Sequence, residues 1–430
     1  MKRILAFALA ALVALSALTA AVDTYYDPSS PTGYTTVFTY NDEAATDVLL
    51  TGSFQFYVNG DMHVFANGFL LSAGDSLGNY MVAPEDWTAD LDLRHANDEG
   101  YTAPMTKTAD GWTHTLQLPC ASYLYFFKVS YDGGETWAVV TDPDNLPPQN
   151  AWSMNPQYRS QFFVPYDGTR QNPADDWTWL MPIEDEAKRG TVSYVEYTGA
   201  NGEARPAQVY TPASYDPDRA EPYKVVYMQH GSGGYEGDWF HQGNVANIAD
   251  RVIATGKNEP FIMVSLENNG LMDKTNTPVI EAVRADLLDC AIPYIEENYN
   301  VVKGPEGRAY CGLSRGARTA SMMLMNYPEA FGYYALLSGG QTNKYSPEMD
   351  AEAMDEPELY IAAGFIDAFM LMRHSINTPG DATTVSFAWL MDKLGVDYNH
   401  GGSLELVPGA HDWYVWPQLA KRYFEEYLWK

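Results

Sequence analysis

One nonapeptide, Tyr310-Cys311-Gly312-Leu313-Ser314-Arg315-Gly316-Ala317-Arg318, restricts the fold more than any other stretch of the chain. It holds Gly-x-Ser-x-Gly as Gly312, Ser314 and Gly316. A short strand-like run, Arg308 to Cys311, precedes it, and a helical run, Thr319 to Asn326, follows and is closed by Pro328. Strand, sharp turn and helix in that order are the context of a nucleophile elbow. The turn forces the serine into a strained backbone conformation, and a side chain at Gly312 or Gly316 would collide with the neighbouring strand or helix. Ser314 Oγ then stands at the carboxyl edge of a sheet, and the next amide, on Arg315, points toward an oxyanion.

The surroundings of the elbow predict the sheet. From Gly190 onward strand-like runs alternate with helical ones: Val192–Tyr197, Ala207–Tyr210, Lys224–Met228, Phe261–Leu266, Arg308–Cys311, Tyr333–Leu337, Leu359–Ala363 and Leu404–Val407. Helices are expected at Val279–Asn298, Thr319–Asn326, Thr383–Lys393 and Pro417–Leu428. Several strands are apolar throughout, as parallel strands buried on both faces should be. This alternation, with the elbow after the fifth strand, predicts an α/β-hydrolase over residues 190–430.

The preceding part has a different period. Thr35–Tyr40, Asp47–Gly52, Trp112–Leu116 and Tyr123–Val129 are short alternating runs bounded by turn residues, among them Asp110-Gly111-Trp112 and Tyr131-Asp132-Gly133-Gly134. They predict an antiparallel, immunoglobulin-like β-sandwich over residues 22–165. Residues 166–189, rich in Pro, Asp and Trp without a period, are expected to link the two. A chain of 430 residues has room for two cores. Residues 1–21 have the layout of a secretory signal: Lys2-Arg3, an apolar run from Ile4 to Leu18, then Thr19-Ala20-Ala21. The apolar run is short for a membrane span. The expected product is exported, to the extracellular space or the periplasm.

The formal charge is −30, and loss of that leader would remove two more positive charges and no acid. Such a surface repels nucleic acid and anionic membranes, so neither is expected as a partner. Cys120, Cys290 and Cys311 form no disulfide framework, and their spacing does not suit zinc. Cys290 and Cys311 fall in adjacent elements and either pair across a helix–sheet contact or stay free in the core. No metal or cofactor is called for.

A serine nucleophile needs a base, and the base an orienting carboxylate. Of eight histidines, His63, His95 and His114 fall in the first domain, and His230 and His241 precede the serine, whereas this fold orders serine, acid, histidine. His374 falls in an apparent helix and His400 in an Asn-His-Gly-Gly turn. His411, in Val407-Pro408-Gly409-Ala410-His411-Asp412-Trp413, follows the last strand and is the expected base. Asp367, just past the seventh strand and its Gly364, is the expected acid, with Asp381 and Asp392 as alternatives; its other natural role is a helix N-cap. The oxyanion requires two backbone donors. Arg315 supplies one. Met228-Gln229-His230-Gly231-Ser232-Gly233-Gly234, after the third strand, places Ser232 as the other.

Together, Val209-Tyr210-Thr211-Pro212, Tyr227-Met228-Gln229-His230-Gly231, Gly237-Asp238-Trp239, Gly312-Leu313-Ser314-Arg315-Gly316 and Gly409-Ala410-His411-Asp412-Trp413 resemble the esterase D-like group of carbohydrate esterase family 1. Residues 22–165, with Gly52-Ser53-Phe54, the Asp-Gly-Trp turn and Thr141-Asp142-Pro143-Asp144-Asn145, resemble early-set domains related to family 48 carbohydrate-binding modules. The Asn and Trp of that family's glycan face are absent; Gln55-Phe56-Tyr57 stand there instead, and a packing role is the expectation. The resemblance implies a secreted serine esterase with Ser314, Asp367 and His411 as its triad. Its substrate would be a hydroxycinnamoyl ester on arabinoxylan or its oligosaccharides. Trp239 and Trp413, with Phe240 and Trp416, are candidates to line the substrate site or to pack the sheet edge. The family often has a second glycine before the histidine, and Ala410 stands there. Rival readings are an acetylxylan esterase, a siderophore (enterochelin-type) esterase, and a glycan-binding protein without activity.

Overall fold

A computed structural model describes residues 22–58, 82–96, 100–145, 159–171, 176–339, 350–364, 367, 387–409 and 411–430. The leader, His63, His374, Asp381, Ala410 and the expected start of a helix at Thr383 lie outside these. The described chain divides into two compact units, the first reaching Gln171 and the second starting at Asp176.

The first unit is rich in β-strands. One sheet contains β1 (Val22–Tyr26), β2 (Tyr34–Tyr40), β8 (Gly111–Leu116) and β7 (Thr106–Thr108) in that order. The other has the order β10 (Ala138–Val140), β9 (Ala121–Ser130), β3 (Asp47–Gly52) and β6 (Tyr101–Pro104), with β11 (Ser160–Val164) also on β9. A separate ribbon pairs β4 (Gln55–Val58) with β5 (Leu93–Ala96). The pairings within both sheets are antiparallel. Alternation explains the shared core: Phe38 and Tyr40 from β2 meet Val48 and Leu50 from β3 and Tyr123, Tyr125, Phe127 and Val129 from β9. Gly133 and Gly134, both at positive φ, turn the chain from β9 into β10. Trp87 and Trp112 are buried, whereas Trp137 is exposed.

The second unit is built on one eight-stranded sheet. In chain order its strands are β12 (Thr191–Thr198), β13 (Ala204–Thr211), β14 (Val225–Gln229), β15 (Ile262–Leu266), β16 (Arg308–Leu313), β17 (Tyr333–Leu337), β18 (Glu358–Gly364) and β19 (Glu405–Val407). Across the sheet the order is β12-β13-β15-β14-β16-β17-β18-β19. The first two pairings are antiparallel and the remaining five parallel. This is an α/β-hydrolase-like sheet. All five residues of β14 and of β15 are buried, which explains their largely apolar sequences, broken only by Gln229 and Ser265.

Helices α1 (Val245–Ala254), α2 (Ile280–Asp286), α3 (Arg315–Asn326), α4 (Phe387–Leu394) and α5 (Trp416–Arg422) occupy the intervals. The run expected as one helix over 279–298 continues from α2 through a π-turn, Leu287–Ala291, into Ile292–Asn298. Cys120, Cys290 and Cys311 are all free, which decides between the two readings of the latter pair. The aperiodic stretch at 176–189 owes its order to side-chain hydrogen bonds: Asn247 and Arg251 of α1 donate to the carbonyls of Leu180 and Met181 at 3.0 and 2.9 Å. No helix among the described residues is long and apolar enough to cross a membrane.

Candidate active site

The elbow forms where β16 meets α3. Ser314 sits between them at φ 52° and ψ −116°, a backbone region that disfavours any side chain but is fixed here by both neighbours. Its amide donates to the carbonyl of Leu337 at 2.9 Å, tying the turn to β17. The flanking glycines are sterically required. A Cβ on Gly312 would overlap the backbone of Gly316 and lie 2.7 Å from the nitrogen of Ala317. One on Gly316 would lie 2.9 Å from the carbonyl oxygen of His230, at the end of β14.

His411 reaches Ser314 from the loop after β19. Its Nε2 is 2.9 Å from Ser314 Oγ and its Nδ1 is 2.9 Å from Asp367 Oδ2. Asp367 lies three residues past the end of β18 and is buried, whereas the imidazole is 45% exposed. Two features hold the histidine loop. Gly409 has φ +136°, and a Cβ there would overlap Val415. Asp412 accepts from the amides of Tyr414 and Val415 at 3.1 and 3.2 Å, which caps the turn into α5. The Trp416 ring stands edge-on to the imidazole at 5.2 Å. Burial pushes the His411 pKa down, but the Asp367 hydrogen bond and the Asp367 and Asp412 charges outweigh it, so the net shift is upward.

Opposite the elbow runs the glycine loop after β14. A Cβ on Gly231 would fall 2.9 Å from Leu313 Cδ1, 3.3 Å from Ser314 Cβ and 3.7 Å from its Oγ, so this backbone runs close against the elbow and a side chain there would be crowded. Ser232 is exposed, and its hydroxyl accepts from Asn276 Nδ2 at 2.9 Å. The far end of the loop is tied by Asn269 Nδ2 to the carbonyl of Gly234 at 2.8 Å and by Asp238, which accepts from the amide of Tyr235 at 3.2 Å. Burial raises the Asp238 pKa to about 6.

Beneath the loop lies a buried polar cluster that the sequence did not disclose. His230 has no exposed surface; its Nδ1 is 2.9 Å from the carbonyl oxygen of Gly231 and its Nε2 is 2.9 Å from Glu267. The Arg315 side chain is also buried, and its guanidinium donates to Asn276, Asn269, Asn268 and the Gly231 carbonyl. The only trace in the sequence is Glu267-Asn268-Asn269, a polar run directly after an apolar strand.

The remaining histidine and acid candidates lie elsewhere. His400 pairs with Glu358 at 3.2 Å and stacks on Tyr427. Asp392 accepts from Tyr398 Oη. His241 contacts Tyr235 Oη. His95 and His114 belong to the first unit. Trp239 has no exposed surface and packs edge-to-face on Trp413, 5.4 Å between ring centres, while Trp413 is only half-buried. Trp416 is buried against Trp413.

Residues 198–421 match the model of a family described as "Putative esterase". Among curated proteins, an "Endo-1,4-beta-xylanase/feruloyl esterase" of Xylanibacter ruminicola is 28% identical over 260 residues, 59% of this chain and 33% of the relative. The chain thus spans about a third of that relative's length. Among solved structures, a ferulic acid esterase of Anaeromyces mucronatus is 19% identical with a TM-score of 0.46, covering 58% of this chain and 94% of that one. The enterobactin esterase of Shigella flexneri is 15% identical with a TM-score of 0.48, covering 95% and 96% of the two chains.

Proposed function

This chain is an enzyme of the esterase family whose model it matches over residues 198–421, and we propose that it is a secreted feruloyl esterase in which Ser314, His411 and Asp367 are the catalytic triad. The observation that carries the reading is the pair of 2.9 Å contacts by which His411 joins Ser314 Oγ to Asp367. Ser314 Oγ attacks the ester carbonyl carbon as His411 Nε2 takes the hydroxyl proton. The tetrahedral oxyanion is held by the amides of Arg315 and Ser232. Collapse breaks the bond to the sugar oxygen, which leaves with the proton from His411, and an acyl-enzyme remains. Water, deprotonated by His411, then attacks the acyl carbon, and the second collapse returns the proton to Ser314 and frees the acid. Asp367 fixes the imidazole so that Nε2 faces the serine, and stabilises the imidazolium.

Substrate choice rests on the Xylanibacter relative, whose name pairs xylanase with feruloyl esterase. It points to a hydroxycinnamoyl ester on arabinoxylan or its oligosaccharides. Export rests on the charged, then apolar, then small-residue order of residues 1–21. Of the two tryptophans suggested for the substrate, Trp413 keeps an exposed face and is assigned that contact; Trp239 backs it. The two antiparallel sheets of the first unit support an immunoglobulin-like, early-set module there.

The test is hydrolysis of methyl ferulate and p-nitrophenyl acetate by the wild-type chain and by Ser314→Ala. Cleavage of both esters by the wild type, lost in a folded alanine variant, is the expected result. Cleavage of the acetyl ester alone would overturn the substrate; cleavage of neither would overturn the enzyme reading.

A further inference from the structure

We propose that the Arg315 side chain, together with His230, is a positioning device that clamps the carbonyl of Gly231 and so aims the amide of Ser232 at the oxyanion. The proposal rests on the esterase reading above and assigns to Arg315 a role separate from that of its own amide.

Peptide geometry links the two groups. Gly231 C=O and Ser232 N–H belong to a single peptide unit, and the described chain has no cis bond, so the two groups point in opposite directions. Whatever fixes the carbonyl therefore fixes the amide. The carbonyl is turned into the protein, where it accepts from Arg315 Nη2 at 3.2 Å and from His230 Nδ1 at 2.9 Å; a carbonyl oxygen can only accept, so Nδ1 carries the proton. Gly234 N also approaches it, at 3.4 Å. The amide must then face the other way, out of this cluster, on a residue whose neighbour Gly231 lies against Ser314.

A clamp is needed because glycine leaves this peptide free to turn. A side chain at 231 that would restrict it is disfavoured by crowding, since a Cβ there would lie 2.9 Å from Leu313 Cδ1 and 3.3 Å from Ser314 Cβ. Turned over, the peptide would present a carbonyl oxygen to the developing negative charge and remove a donor at the same step. The clamp itself is rigid. Asn276 Oδ1 and Asn269 Oδ1 accept from the guanidinium at 2.6 and 2.7 Å, and Asn268 Oδ1 accepts a third bond. Asn268 in turn donates to the carbonyl of His230 at 2.7 Å, and Glu267 faces His230 Nε2. Four acceptors around one planar fork suit arginine; a lysine ammonium has three donors and no plane. Burial lowers the Arg315 pKa to about 10, which leaves the side chain charged at neutral pH.

The experiment compares wild type, Arg315→Met and Arg315→Lys. Measured are kcat and KM on methyl ferulate, the acid limb of the pH profile, the thermal midpoint, and affinity for phenylboronic acid, whose serine adduct is tetrahedral and places an oxygen where the oxyanion forms. Loss of one oxyanion donor costs about 10²–10³ in kcat, and misaiming a donor that remains in place should cost part of that, roughly 10–100-fold. The expected pattern in Arg315→Met is a fall in kcat and an equal fall in boronate affinity, with KM and the acid limb unchanged. Arg315→Lys should recover part of both losses. Should the methionine variant not fold, the lysine variant carries the test by the same readings. A folded variant whose kcat and boronate affinity match wild type overturns the proposal, as does a rise in KM at constant kcat. Failure of the wild-type chain to cleave either ester or bind the boronate is a different result and overturns the esterase reading itself.

Discussion

Two histidines of the second unit make the same contact with opposite consequences. His411 and His230 each place one ring nitrogen 2.9 Å from a buried carboxylate, Asp367 and Glu267. The difference lies at the other nitrogen. In His411 it meets a serine hydroxyl and the ring is 45% exposed; in His230 it meets a backbone carbonyl and the ring has no exposed surface. A hydroxyl can surrender a proton, so a base facing it can do chemistry. A carbonyl has none to give, so a histidine facing it is a structural donor. The carboxylate–imidazole pair alone does not mark a candidate base; the partner of the second nitrogen does.

Breaking the pair from each side gives the largest contrast. His411→Ala should abolish hydrolysis of methyl ferulate on the scale of ~10⁶ seen when a triad base is removed. His230→Gln, which keeps a side-chain donor near Gly231, should cost far less in kcat. Equal losses in two folded variants would erase the distinction.

The next effect sharpens the role of Asp367. Asp367→Asn should lower kcat by about 10⁴, the scale for a mis-set tautomer. It should also move the pH profile in a set direction. His411 acts as a base only when unprotonated, and its raised pKa makes it hold a proton to higher pH, so the acid limb of kcat/KM should lie above the ordinary histidine value of about 6.5. Removing the Asp367 charge and its acceptor removes the main upward causes, so the limb should shift to lower pH. A limb that stays in place in Asp367→Asn would separate the titrating group from this pair.

Smaller again is the cost of filling the elbow. Gly312→Ala forces a methyl group into the start of α3. The expected loss of stability is about 1–3 kcal/mol, the range for overpacking a tight contact, measured as a lower denaturant midpoint. An unchanged midpoint would mean that the strand–helix contact is looser than described.

Much of this was legible because the chemistry is local. Glycines at 312 and 316, largely apolar runs and a fixed chain order single out Ser314, His411 and a carboxylate after β18, and the fold brings those three side chains within hydrogen-bond distance. The clamp was not legible. Arg315 occupies a position that the Gly-x-Ser-x-Gly pattern leaves open, and its partners Asn268, Asn269 and Asn276 are distant in sequence and look like ordinary loop residues. Nor were the short strands of the first unit: Thr106–Thr108 is exposed throughout, so no alternation marks it. Aromatic content left two roles open, and burial settles which one Trp239 takes: it is core rather than surface.

The most direct test of the central claim is labelling of the wild-type chain with diethyl p-nitrophenyl phosphate, followed by intact-mass measurement and peptide mapping. One diethylphosphoryl group on Ser314, appearing in step with loss of methyl ferulate hydrolysis, is the predicted result. Inactivation with the group on another residue, or full labelling of Ser314 with hydrolysis intact, would contradict it.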